Sequence, residues 1–188
     1  MRRWFLIGLA AAALLLAAIV VKIERPASEP AASPPVAGSV GGFKPTGRPA
    51  PDITFVTAEG KPATLKDFAG RVVLLNLWAT WCAPCVREMP SLDRLQAELG
   101  GADFEVVALS SDRGGKAAVE PFFNAHGLSR LAIYLDPKSE ATRALGARGL
   151  PTTLLIDRRG REAGRLEGAA EWDSPEAKAL IGFYLARD

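Results

Sequence analysis

The only two cysteines of the chain, Cys82 and Cys85, stand where one apolar pattern gives way to another. Before them, Val72-Val73-Leu74-Leu75-Asn76-Leu77-Trp78 is a nearly unbroken apolar run, the pattern of a strand buried on both faces. After them, Val86, Met89, Leu92, Leu95 and Leu99 recur every three or four residues, which marks one face of a helix. A strand that passes through Trp81-Cys82-Ala83-Pro84-Cys85 into a helix puts both thiols near unpaired helix amides. Those amides favour a thiolate, the nucleophile of disulfide exchange. The pair therefore reads as a redox site. Zinc would need further soft ligands, and His126 is the only histidine. A purely structural bridge across two residues would close too small a loop to constrain the unfolded chain much.

The N-terminus bears on compartment. Arg2 and Arg3 precede an uncharged apolar run from Phe5 to Val21. At ~1.5 Å per residue that run spans roughly 25 Å, and Trp4, Lys22 and Ile23 extend it toward the ~30 Å hydrocarbon core. The sequence that follows, Lys22-Ile23-Glu24-Arg25-Pro26, is a poor cleavage site. Residues 1–25 are thus expected to be a retained single-pass anchor with the N-terminus in the cytoplasm. Residues 26–49 hold six of the fourteen prolines among Ala, Ser and Gly, and are expected to be an extended linker. Residues 50–188 are the expected folded domain. The 48% hydrophobic content suffices for a core, and the near-balanced charge of +2 gives no reason to expect nucleic acid. Arg158, Arg159, Arg161 and Arg165 are interleaved with Glu162 and Glu167, which predicts a solvated hairpin surface.

Within the folded portion, Ile53–Val56 and Ala63–Leu65 read as short strands about Glu59-Gly60. Phe104–Leu109, Leu131–Leu135, Thr152–Ile156 and Glu162–Leu166 are further expected strands. Helices are expected near 84–99, 117–126 and 139–145, with prolines at Pro90 and Pro121 that should bend or shorten the first two. Ser174-Pro175 should open the last helix as cap and first-turn proline. The pattern is α/β: a mixed sheet sandwiched by helices, with an N-terminal β-hairpin.

Asn76-Leu77-Trp78-Ala79-Thr80-Trp81-Cys82-Ala83-Pro84-Cys85 closely resembles the active-site segment of thioredoxin-fold proteins. The continuation Arg87-Glu88-Met89-Pro90 narrows the resemblance to membrane-anchored, TlpA-like thiol–disulfide reductases of bacteria. Gly149-Leu150-Pro151-Thr152 resembles the cis-proline loop of that family, and residues 102–136 resemble its strand–helix insert. The resemblance implies a central mixed sheet flanked by helices, an exposed attacking Cys82 and a resolving Cys85. It implies no cofactor beyond the Cys82–Cys85 disulfide, and no metal is expected. Trp81, Leu150 and Pro151 are the expected substrate-binding residues. Pro84 and Asn76 are expected to support the site, Asn76 standing where thioredoxins carry a proton-accepting aspartate.

The N-terminal segment would deliver the domain to the periplasm, where a monomer is expected, and the resemblance implies a membrane thiol transporter as electron donor. By the same resemblance the domain's clients would be apocytochrome c, a copper-site protein or a copper chaperone. Thr152 and Thr153 after Pro151 depart from the glutamate found there in the cytochrome c branch. A disulfide-forming oxidant and a non-catalytic tethered module that holds a client or metal remain the alternative functions. The intact CxxC and the lack of added ligands count against the second of these.

Overall fold

The computed structural model describes residues 40–187. The expected anchor at residues 1–25 and most of the expected linker lie outside the described residues. The strands are β1 (Lys44–Pro49), β2 (Thr54–Thr57), β3 (Pro62–Thr64), β4 (Val72–Trp78), β5 (Phe104–Ser110), β6 (Tyr134–Leu135), β7 (Thr152–Ile156) and β8 (Arg161–Glu167). The helices are α1 (Ala83–Leu99), α2 (Lys116–His126), α3 (Glu140–Ala144) and α4 (Pro175–Leu185), with a 3-10 turn at Leu65–Phe68. All strands join one sheet in the order β1-β8-β7-β4-β5-β6-β2-β3. β4 pairs parallel with β5 and antiparallel with β7, so the sheet is mixed as expected.

β4 is buried along its whole length because both its faces are covered. Val72, Leu74 and Trp78 pack on one face against α1, α2 and α4 through Met89, Leu92, Leu95, Val119, Phe123, Leu180 and Ile181. Val73, Leu75 and Leu77 pack on the other against Phe55, Phe68, Ala141 and Leu145. The period of two divides the strand between two cores. That alternation assigns Asn76 to the α1 face.

Both prolines are taken into helices rather than ending them. α1 runs through Pro90 and α2 starts five residues before Pro121. Ser174 caps α4 through its hydroxyl, which accepts from the Ala177 amide at 3.2 Å, with Pro175 in the first turn.

Three expectations need correction. The folded domain starts before residue 50: β1 pairs with β8, and Val40 and Phe43 are buried. A proline-rich segment was expected to be a linker, but its extended backbone also suits an edge strand, where missing amide donors face outward. Phe43 lies so close over Gly164 that a Cβ there would sit 2.5 Å from its ring, so this contact requires glycine. The strand expected at Leu131–Leu135 is only Tyr134–Leu135. The preceding amides of Arg130 and Leu131 instead donate to Asp93 on α1, at 2.8 and 3.1 Å.

The arginine-rich hairpin is not simply a solvated surface either. Glu162 is fully buried and Arg165 is 9% exposed. The Arg165 guanidinium donates to both Glu162 oxygens at 2.7 Å, and Arg48 and Thr46 from β1 donate to the same carboxylate. Burial pushes this carboxyl up, but those partners hold it below the ordinary range.

Candidate active site

Cys82 is the N-cap of α1, and its sulfur accepts from the Cys85 amide at 3.4 Å. The two sulfurs are joined in a disulfide with the Cα atoms 5.3 Å apart. Pro84 occupies the first turn, where a missing amide costs nothing. Cys82 is 6% exposed and Cys85 is sealed at 0%, so an external sulfur can reach only Cys82. Trp81 beside it is 71% exposed, the exposed large hydrophobic among the described residues.

The approach to the cysteines is held by Asp112, just beyond β5. Its buried carboxylate accepts from the Thr80 amide (2.9 Å), the Thr80 hydroxyl (2.6 Å) and the Ser110 hydroxyl (2.7 Å). This clamp fixes the Ala79-Thr80-Trp81 turn relative to the sheet. On the other flank of β4, Leu77 faces Thr152 in the antiparallel register with β7. The loop before Thr152 therefore lies at the same end of the sheet as the cysteines. Its Leu150–Pro151 bond is cis, as expected. The Pro151 carbonyl accepts from Gly168. The Leu150 amide and carbonyl make no hydrogen bond within the described residues.

Behind the disulfide lies a buried polar chain. Asn76 donates through Nδ2 to Glu88 (2.7 Å) and to its cross-strand partner Thr153 (2.9 Å). Glu88 also accepts from the Ala170 amide (3.1 Å) and Trp172 Nε1 (3.2 Å). Glu88 is 1% exposed and follows Cys85 by three positions on α1, which puts the two on adjacent points of one helical face. Burial pushes its carboxyl from 4.5 up to about 7, against the pull of the Asn76, Ala170 and Trp172 donors. A cleft of about 270 Å³ lined by Arg87, Glu88, Ala169, Ala170 and Glu171 leads from solvent toward this carboxyl. Asn76 Oδ1 is buried without a hydrogen-bond partner.

The structure thus gathers Trp81, Cys82, Pro84 and Cys85 in one turn. It places Asn76 behind them and Leu150–Pro151 at the same sheet end. Sequence reasoning gave no role to Glu88, although a glutamate on the apolar face between Cys85 and Leu92 was a readable signal. Asp112 and Trp172 carried no comparable mark. Among the described residues no group of three or more His, Cys, Asp or Glu side chains is placed to hold a metal ion. His126 stacks on Phe122 at 4.0 Å near the end of α2.

A redoxin family model matches residues 45–181, a span that contains the cysteines, the cis-proline loop and nearly all of the sheet. The chain belongs to the redoxin family. This redoxin is 35% identical over 122 residues to thiol-disulfide oxidoreductase ResA of Bacillus thuringiensis, covering 65% of the chain and 69% of the relative. A crystal structure from Chlorobium tepidum, of a protein described as thiol:disulfide interchange protein DsbE, superimposes with a TM-score of 0.67 at 31% identity. That match covers 74% of the redoxin and 97% of the other chain. The exposed lipoprotein thioredoxin Etrx1 of Streptococcus pneumoniae matches with a TM-score of 0.57 at 26% identity, over 69% of the redoxin and 98% of that chain. Fold, disulfide and relatives agree: the redoxin is a TlpA-like, thioredoxin-fold protein thiol–disulfide oxidoreductase.

Proposed function

We propose that this redoxin works as a protein-disulfide reductase on the outer side of the cytoplasmic membrane, tethered by residues 1–25. The supporting observation is the buried Glu88 carboxyl behind Cys85. Strong disulfide-forming oxidants depend on a well-stabilised thiolate, and a buried carboxyl three positions beyond Cys85 supplies no positive charge to stabilise one. The Arg2-Arg3 flank of the apolar run supports the topology. In thiol–disulfide proteins of this kind the clients fit metalloprotein assembly: an apocytochrome c, a copper-site protein or its chaperone.

The reaction runs in two exchanges. The Cys82 thiolate attacks one sulfur of the client disulfide; that bond breaks, and the other client sulfur leaves as a thiolate and takes a proton from solvent. Cys85 gives up its thiol proton to the Glu88 carboxylate, and its sulfur attacks Cys82. The Cys82–Cys85 bond forms, and the second client sulfur leaves as a thiolate. Two electrons have passed to the client, and a membrane dithiol donor restores the redoxin. Trp81 shields the reacting sulfurs, and the unpaired Leu150 backbone groups pair with an extended client segment.

The reduction potential of the Cys82–Cys85 couple tests the direction. A value near or below ~−200 mV is expected, whereas one close to the ~−120 mV of a strong oxidant would reverse the proposal. Cys85→Ser should trap a mixed disulfide with the client, and Cys82→Ser should not. The opposite trapping pattern would exchange the two roles.

A further inference from the structure

The sheet order puts the cis-proline loop on one side of the disulfide only. β7 carries it on one flank of β4, and β5 occupies the other. On the β5 side lies an open cleft of about 540 Å³ lined by Trp81, Ser111, Asp112, Arg113, Gly114 and Ser139. Its volume is in the range that takes a few side chains of a bound segment.

The cleft has a fixed floor and one cation, Arg113, in its lining. Asp112 holds both Thr80 and Ser110, while Ser111 bonds Thr142, which in turn donates to Asp136. A floor pinned in this way is preorganised, so little ordering is needed on binding. Asp112 is buried, and each of its oxygens already accepts a hydrogen bond from within the fold. Arg113 is exposed, and its guanidinium has no hydrogen-bond or ion-pair partner among the described residues. By contrast Arg48, Arg71, Arg94, Arg158, Arg165 and Lys178 are all paired with carboxylates. The other charges near the cleft are Lys116, paired with Glu120, and Lys138 and Glu140 on either side of Ser139. Exposed Trp81 supplies an apolar wall, and Arg113 a cation, beside a sulfur that must be approached closely.

We propose that this cleft is a client-recognition site in which Arg113 selects an acidic side chain flanking the reactive cysteine of an extended polypeptide client. The assignment rests on the reductase reading and adds a partner class to it. The client lies across the disulfide, its backbone on the Leu150 side and its acidic flank on the Trp81–Arg113 side.

The test uses the full chain, reduced, with disulfide-linked peptides that carry Glu, Ala or Lys beside the cysteine. A neutral small disulfide, hydroxyethyl disulfide, normalises each variant. The Glu peptide should be reduced about threefold faster in kcat/KM than the Ala peptide, and the Lys peptide slower, as befits one partly exposed ion pair. Arg113→Ala should flatten the series, and Arg113→Glu should reverse it. The preference should also shrink as salt shortens the screening length. Normal reduction of the small disulfide with the same peptide order in wild type and Arg113→Glu would overturn the client proposal alone. A reduced protein that turns over neither the peptides nor the small disulfide would overturn the reductase reading and this proposal with it.

Discussion

Replacing Glu88 with Gln should change the pH dependence of stability more than any other single substitution at the site. Burial moves this carboxyl from 4.5 to about 7, so in the folded protein it holds a proton that the unfolded chain has already released between those values. Stability from this group is fully present below pH 4.5 and is lost as pH rises through 7. At ~1.4 kcal/mol per pH unit, the loss totals about 3 kcal/mol.

Gln is neutral throughout and nearly the same shape. Its oxygen can accept from Ala170 and Trp172, and its amide can face Asn76 if that side chain turns its unpartnered Oδ1 inward. Denaturant titrations of the oxidised wild type and Glu88→Gln at intervals from pH 4.5 to 8 give the comparison directly. The wild-type stability minus that of the variant should fall by about 3 kcal/mol over this range, most of it between pH 5 and 7. Glu162 and Asp173, whose carboxyls are held low, lose stability in the opposite direction as pH falls. They do so equally in both proteins and cancel in the difference. Parallel pH profiles for the two proteins would refute the assignment of a raised, buried Glu88.

Removing the clamp with Asp112→Ala leaves the Thr80 amide and hydroxyl without their acceptor and should cost about 2–3 kcal/mol, measured by denaturant unfolding. Arg165→Leu alone leaves the buried Glu162 carboxylate with only Arg48 and Thr46 as partners, and about 3 kcal/mol should be lost, the low end for a broken buried pair. The double change Arg165→Leu with Glu162→Leu should recover a large part of that loss, as read from the same unfolding curves.

How much could be read in advance depended on whether a residue's role is local. The Val72–Trp78 strand, the α1 face and the Ser174-Pro175 cap follow from spacing and chemistry within a few positions, and each stands as expected. The cysteines and the Leu150–Pro151 bond were legible because their motifs are contiguous. The errors concern pairings made at long range. Glu162 becomes a core residue only because β1, more than a hundred positions earlier, brings Thr46 and Arg48 over it. Leu131 leaves the ladder only because Asp93 on α1 takes its amide. Glu88 acquires its raised proton affinity from burial under distant parts of the chain, against the pull of the Ala170 and Trp172 donors, which no local pattern ties to it.

The two rims of the sheet set a limit on how any partner can engage it. One rim is β1, with Pro45 and Pro49 and an irregular register against β8; the other is the three-residue β3, which begins at Pro62. Neither presents a long row of unspent donors and acceptors, which is the template a stray strand needs to extend a sheet. Sideways growth, whether by a second copy or by a partly unfolded polypeptide, is therefore disfavoured along both margins. What remains for an extended visitor is the unpaired backbone of Leu150 at the sheet's end. Promiscuous sticking along the edges is thereby suppressed in a protein whose chemistry is thiol–disulfide exchange.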